Sequence, residues 1–188
     1  MGEPSQRMAE AVLSVLVSDG FEGVSVRRVA AVAGTSIGAV QHHFPTKDAM
    51  LAGAMELAAQ RFQTRLAARL SPELPPAGKL EAFAVALLST DDHEVTVAWL
   101  LRLARAAVDE ATAGRHRADW AQVATWLEEL IAEAAPEVSA ADAATELLAL
   151  LDGLACSVAV EPGRVGAETA ERIARAHVRR VIAGSGGP

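Results

Sequence analysis

Between Ser25 and Lys47 the chain gathers residue types that suit a nucleic-acid surface. Ser25, Arg27, Arg28 and Lys47 offer hydroxyl and cationic donors for backbone phosphates. Ser36, Ile37, Gly38, Gln41, His42 and His43 form a cluster that can face base edges or a mixed surface. Gln41 is the most informative of these. A glutamine can pair in a bidentate manner with adenine, worth about 1 to 3 kcal/mol of discrimination, and it can equally contact phosphate or water. Other chemistry finds less support. Asp91-Asp92-His93-Glu94 has metal-ligand types, yet acids at a helix start are explained by capping and the helix dipole. His42 and His43 are adjacent, and adjacent helical positions point about 100° apart, so they do not easily share an ion. His116, between Arg115 and Arg117, is expected to be solvated. No phosphate loop, dinucleotide glycine fingerprint or nucleophile elbow occurs. The reading is of a protein that is not an enzyme, with no metal and no cofactor.

The elements that must position the cluster are short. In SVRRVAAVAGTSIGAVQHHF, Val26, Val29, Ala30 and Ala33 recur at helical spacing behind Ser25, which can cap the first orphan N–H groups. This predicts a helix over 26–33. Gly34 ends it through the left-handed conformation that glycine adopts most cheaply, and Ser36 caps a second helix over 37–42. Two helices this short do not persist alone in water, because nucleation is costly, so flanking helices must supply their core.

The whole chain has the means to build that core. Its 188 residues are 51% hydrophobic and 4% aromatic, with no Tyr, so Ala, Leu and Val carry the packing and an all-α fold is expected. The net charge of −7 is unevenly divided: residues 1–70 hold seven Lys or Arg against six Asp or Glu, and residues 71–188 hold ten against eighteen. Phosphates near the cluster would feel the local balance, since charges beyond about 10 Å are largely screened. Cys156 is the only cysteine, so no disulfide forms within the chain, and a reducing cytoplasm is the simple expectation. No signal peptide is apparent. The most apolar run, 147–160, contains Asp152 and falls short of the roughly 20 residues that span a bilayer, which reads as a buried helix.

Ser25, Val29, Ala30, Gly34, Ser36, Gly38, Val40, His43, Phe44 and Lys47 together resemble the DNA-binding segment of the TetR family of bacterial transcription regulators. Gln41 and His42 stand where an aromatic ring is common in that family. The resemblance implies an N-terminal three-helix helix-turn-helix domain, placed at 1–46, and a C-terminal helical effector-binding and dimerisation domain, placed at 47–188, with 47–70 as the connecting helix. It also implies a homodimer that binds a palindromic double-stranded DNA operator, most often as a repressor released by a small-molecule effector. The alternative is a helical small-molecule-binding protein that has lost DNA reading. The segments VAWLLRLARA and LLDGL resemble the branch that includes choline-responsive BetI-like regulators, and no effector is inferred from them.

In chain order, helices are expected over 5–18, 26–33, 37–42, 47–70, 77–88, 92–107, 112–135, 140–160 and 167–183, with the Ser71–Pro76 stretch as the clearest break. Phe21 should turn back onto the motif's core. Phe62, Phe83, Trp99, Leu103, Trp120, Val123, Trp126 and Leu127 are the candidates to line an effector pocket, with core packing the competing role for each. The helices at about 140–160 and 167–183 are the expected dimer interface, because a helix apolar nearly all round must be covered on more than one side.

Overall fold

The computed structural model describes residues 3–184, and among these every regular element is a helix. In order they are α1 (Glu3–Gly23), α2 (Val26–Ala33), α3 (Ile37–His43), α4 (Lys47–Arg69), α5 (Pro76–Leu88), α6 (His93–Ala106), α7 (Glu110–Ala134), α8 (Ala140–Val160) and α9 (Ala167–Ile182). The expected elements are all present. α1 runs further than 18, but Gly20 (φ 70°, ψ −173°) interrupts it, so the final turn to Gly23 is a separate piece.

Local signals set the ends. Ser25 Oγ accepts from Arg28 N at 3.3 Å, Ser36 Oγ from Ala39 N at 3.1 Å and Thr46 Oγ1 from Ala49 N at 3.0 Å, each meeting one orphan donor of the helix it starts. Gly34 closes α2 in the left-handed region (φ 62°), where a Cβ would be strained.

Packing divides the apolar residues into two cores. The first draws Met8, Val12, Leu13, Val15 and Leu16 of α1, Val29 and Ala30 of α2, Val40 of α3 and Phe44 around Met50, Leu51, Ala54 and Leu57 of α4. Ala98 of α6 belongs to it too, with Leu101 packed alongside. Phe21 is partly buried against this core, as expected. The second core lies among α5, α7, α8 and α9, with Leu66 from the far end of α4. α4 therefore spans both, and α6 reaches from the second unit into the first. α8 is long and apolar enough to cross a membrane by length and composition; in this fold it packs against α5, α6, α7 and α9, and 33% of its most apolar window is buried.

Candidate nucleic-acid interface and effector cavity

The two capped helices and the start of α4 carry the candidate contact residues. Ser25, Arg27, Arg28, Ser36, Ile37, Gly38, Gln41, His42, His43 and Lys47 are all exposed. Ile37, at the first position of α3, is 48% exposed, an apolar side chain suited to a thymine methyl. The hydroxyls of Ser25 and Ser36 accept the capping bonds with oxygen lone pairs, which leaves each O–H able to donate outward. Arg28 Nε is 2.9 Å from Asp19 Oδ2, and the Asp19 carboxyl is held below its ordinary range by the Ser18 hydroxyl and then by Arg28. The Arg28 side chain stays 52% exposed, so a phosphate can still reach it. His43 Nε2 pairs with Ser5 Oγ at 2.5 Å, and its ring meets Phe44 edge-on at 4.8 Å, so this histidine also ties α3 back to α1. Lys47 makes no ion pair among the described residues, and as a cation in the first turn of α4 it opposes the helix dipole there, while the acid of that turn, Asp48, faces Arg105.

A second feature is a cavity of about 240 Å³ bounded by α4, α5, α6, α7 and α8. Of the eight pocket candidates, Phe62, Trp99, Trp120, Val123 and Trp126 line it. Phe83, Leu103 and Leu127 do not. Leu127 is fully buried in the second core, Phe83 packs there behind Trp126 (centroids 6.1 Å apart, edge-on), and Leu103 is half-buried elsewhere on α6. The lining residues Ala59 and Gln63 of α4 and Asp119, Gln122 and Trp126 of α7 are exposed, so the mouth lies between two helices that hardly touch otherwise.

Sequence reasoning missed the polar part of this lining. Asp152 sits in the wall, and burial pushes its carboxyl above the ordinary carboxylate range, with the Trp120 indole N–H pulling part of the way back. No cation pairs with it among the described residues. A charged residue inside the most apolar run was the available signal. Arg102, also in the wall, is occupied by Asp119 at 2.5 Å. His116 is not solvated as expected: it stacks on Trp120 at 4.9 Å, its Nδ1 is buried without a partner, and burial holds its pKa down. The Cys156 thiol is pushed up by burial and by Asp152, which keeps it in the unreactive protonated form. The acids of Asp91-Asp92-His93-Glu94 are taken up by arginines of α4, and among the described residues no group of three or more metal-ligating side chains gathers.

α6 connects the two features. Trp99 and Arg102 face the cavity, while Ala98 lies in the first core and Arg105 reaches over the Phe21 ring at 5.3 Å and toward Asp48 at 3.8 Å.

Comparison with known proteins agrees with this arrangement. Residues 10–54 match the family described as bacterial regulatory proteins, tetR family, and residues 76–183 match the BetI-type transcriptional repressor C-terminal family. The HTH-type transcriptional regulator PksA of Bacillus subtilis is 29% identical, covering 94% of this chain and 88% of that protein. The crystal structure of a transcriptional regulator from a Rhodococcus species is 33% identical with a TM-score of 0.82, covering 96% of both chains. A regulator from Saccharomonospora viridis crystallised in complex with choline has a TM-score of 0.83 over 98% of this chain; at 19% identity it shows the fold alone.

Proposed function

The chain belongs to the TetR family of bacterial transcription regulators, and we propose that it is a repressor that binds a palindromic operator as a homodimer and is released by a small ligand. The observation that carries the reading is the exposed surface of α2, α3 and the first turn of α4, where caps hold the reading helix and the candidate contact residues are all exposed. Arg27, Arg28, Ser25 and Lys47 take phosphates; Ile37, Gln41 and His42 take base edges. The head, residues 1–46, rides on α4, whose first half is the floor of its core.

The dimer forms through α8 and α9. Thr145, Ala149, Gly153 and Val160 expose one face of the most apolar helix, and Val160 is 71% exposed, so a second copy is the cover that this face requires. With that axis, the two reading helices enter successive major grooves about 34 to 36 Å apart. A DNA-bound regulator of this kind works in the cytoplasm.

The effector is a small organic cation. Asp152 is a half-buried carboxyl without a counter-ion among the described residues, in a cavity walled by Trp99, Trp120, Trp126 and Phe62, and a cation relieves the carboxylate while resting on ring faces. The volume is at the small end of ligand pockets. Filling the gap between α4 and α7 shifts α4, and with it the distance between the two heads.

Selection of duplexes from a randomised pool at low salt, followed by a gel shift, tests the first claim. A palindrome with half-sites one helical turn apart is expected, and absence of any retained duplex refutes it. For the effector, choline and tetramethylammonium should quench tryptophan emission and release the duplex, while uncharged 3,3-dimethylbutanol should not. Equal responses to charged and uncharged probes would overturn the cationic class.

A further inference from the structure

The turn between α5 and α6 touches three parts of the molecule at once. Ser89 is buried at 6% exposure, lines the cavity, and is the one non-glycine residue with positive φ (47°) among the described residues. Such a conformation is sparsely populated for a residue with a Cβ, and it persists only where the surroundings impose it. The surroundings here are polar. Thr96, also in the cavity wall, donates through Oγ1 to the Ser89 carbonyl at 3.1 Å. Arg65 of α4 donates to Ser89 Oγ at 3.3 Å and to Asp92 Oδ2 at 2.6 Å. Asp92 Oδ1 accepts Val95 N at 3.1 Å, so one carboxylate both starts α6 and holds α4.

Arg65 does not act alone. Arg61, Arg65 and Arg69 stand four residues apart on one stripe of α4, and the outer two pair with Glu94 at 2.7 Å and Asp91 at 3.1 Å. The middle pair is the sheltered one: the Arg65 and Asp92 side chains are 17% and 18% exposed, so water and salt weaken it less than its neighbours. Arg65 Nε, meanwhile, is buried without a hydrogen-bond partner and lies 3.4 Å from Asp91 Oδ1. The guanidinium thus has a second arrangement within reach, turned from Asp92 and Ser89 toward Asp91. On its other side the turn meets α9, where Thr90 Oγ1 donates to Glu171 Oε1 at 2.8 Å.

We propose that the Ser89–Asp92 turn, acting through Arg65, is the relay between the cavity and the DNA-reading head. Resting on the regulator reading above, the proposal identifies Arg65 and Asp92 as positioning residues that touch neither DNA nor ligand. Displacement of Ser89 or Thr96 from inside the cavity moves the Asp92 carboxylate, Arg65 exchanges partners, and α4 moves as a body because three rungs share its stripe. α4 carries Met50, Leu51, Ala54 and Leu57 in the head's core, so the head follows.

Coupling of this kind is reciprocal, so DNA binding must be felt in the cavity. The three tryptophans of the chain, Trp99, Trp120 and Trp126, all line it and report without a label. The full-length protein is titrated at low salt with a duplex obtained by selection, following anisotropy of a labelled duplex and tryptophan emission in parallel. In the wild type the emission is expected to change with the same saturation as the anisotropy. Asp92→Asn keeps a capping oxygen and removes the charge, and Arg65→Gln removes the fork. Both are expected to bind the duplex within about fivefold of wild type and to lose the emission change. The double variant should lose no more than either alone, as members of one unit do. Should Arg65→Gln fail to show helical circular dichroism, Arg65→Lys keeps the charge without the fork and must lose the emission change as well. A wild type that binds duplex with unaltered emission, or variants that keep the full change, overturns the relay while leaving the regulator reading intact. A wild type that binds no duplex overturns both.

Discussion

Gly53 is a place where the core of the reading head is sensitive to a single methyl group. It lies inside α4, where alanine is favoured over glycine by about 1 kcal/mol on helix propensity alone. A Cβ built there meets Phe44 Cε1 at 2.7 Å and Cζ at 3.0 Å, against a comfortable carbon separation of about 3.5 to 4.0 Å. The ring must therefore retreat by roughly 1 Å. Phe44 has little room to do so: it is 7% exposed in the first core, and it is the C-cap of α3, its N–H bonded to Val40 O at 2.7 Å. Overpacking of a core costs about 1 to 3 kcal/mol, so Gly53→Ala should destabilise the protein by about 0 to 2 kcal/mol net, each kcal/mol lowering Tm by roughly 2 to 4 °C in a chain of this size. Because the backbone of the residue that carries the displaced ring caps the reading helix, the larger effect should fall on DNA affinity, although residue 53 is buried beneath the interface. Thermal melting followed by circular dichroism and duplex anisotropy measure the two effects. Phe44→Leu in the Gly53→Ala background should recover part of both, with a favourable coupling of about 1 kcal/mol between two residues in contact. An alanine variant that melts higher than wild type, with unchanged duplex affinity, would refute the reasoning.

Three further outcomes follow from the same geometry. Lys47→Ala should weaken binding about equally on all duplex sequences and reduce the slope of log affinity against log salt by roughly 1; an unchanged slope removes Lys47 from the interface. Ser36→Ala should cost about 1 kcal/mol by removing the side-chain cap on Ala39 N and leaving it the Ser36 carbonyl alone, visible as a lower denaturant midpoint even without DNA. Asp152 has a folded-state pKa raised by burial, so its charged form opposes folding: the cost is full above the raised value, fades as pH falls toward the ordinary value of about 3.9, and is gone below it. Asp152→Asn should therefore be more stable than wild type near neutral pH and equal to it in acid. Binding of a cationic effector should weaken as pH drops through the same window, and in the Asn variant it should be weak at every pH.

What was legible in the chain beforehand divides by the range of the interaction. Caps and stops act within three or four residues, and Ser25, Gly34, Ser36, Thr46 and Asp92 can be read directly because the partner of each is its own helix end. Gln41 and His42 of α3 were offered by residue type, and they are exposed while Val40 turns inward. The cavity was legible only as a list of large rings. Phe83 and Leu127 are of the same residue types as the lining, and residue type does not tell a wall from the core behind it; only the packing of α5 and α7 decides.

The arginines of α4 are the long-range case. Their spacing of four is visible in the sequence, and the acids at 91–94 were visible too, yet each set has a sufficient local explanation as a solvated face or a helix cap. Nothing short of the packing of α4 against α6 brings Arg65 to Asp92 across 27 residues. Asp92 caps α6 with one oxygen and holds Arg65 with the other, so the local reading was correct and still incomplete. A carboxylate has two oxygens and about four acceptor sites, and a cap uses one of them. In a chain whose charged residues crowd the helix starts, the unspent acceptors of capping acids are therefore where long-range polar links are to be sought. Replacing Asp92 by Asn, which retains the cap acceptor but not the charge, separates the two duties in one molecule.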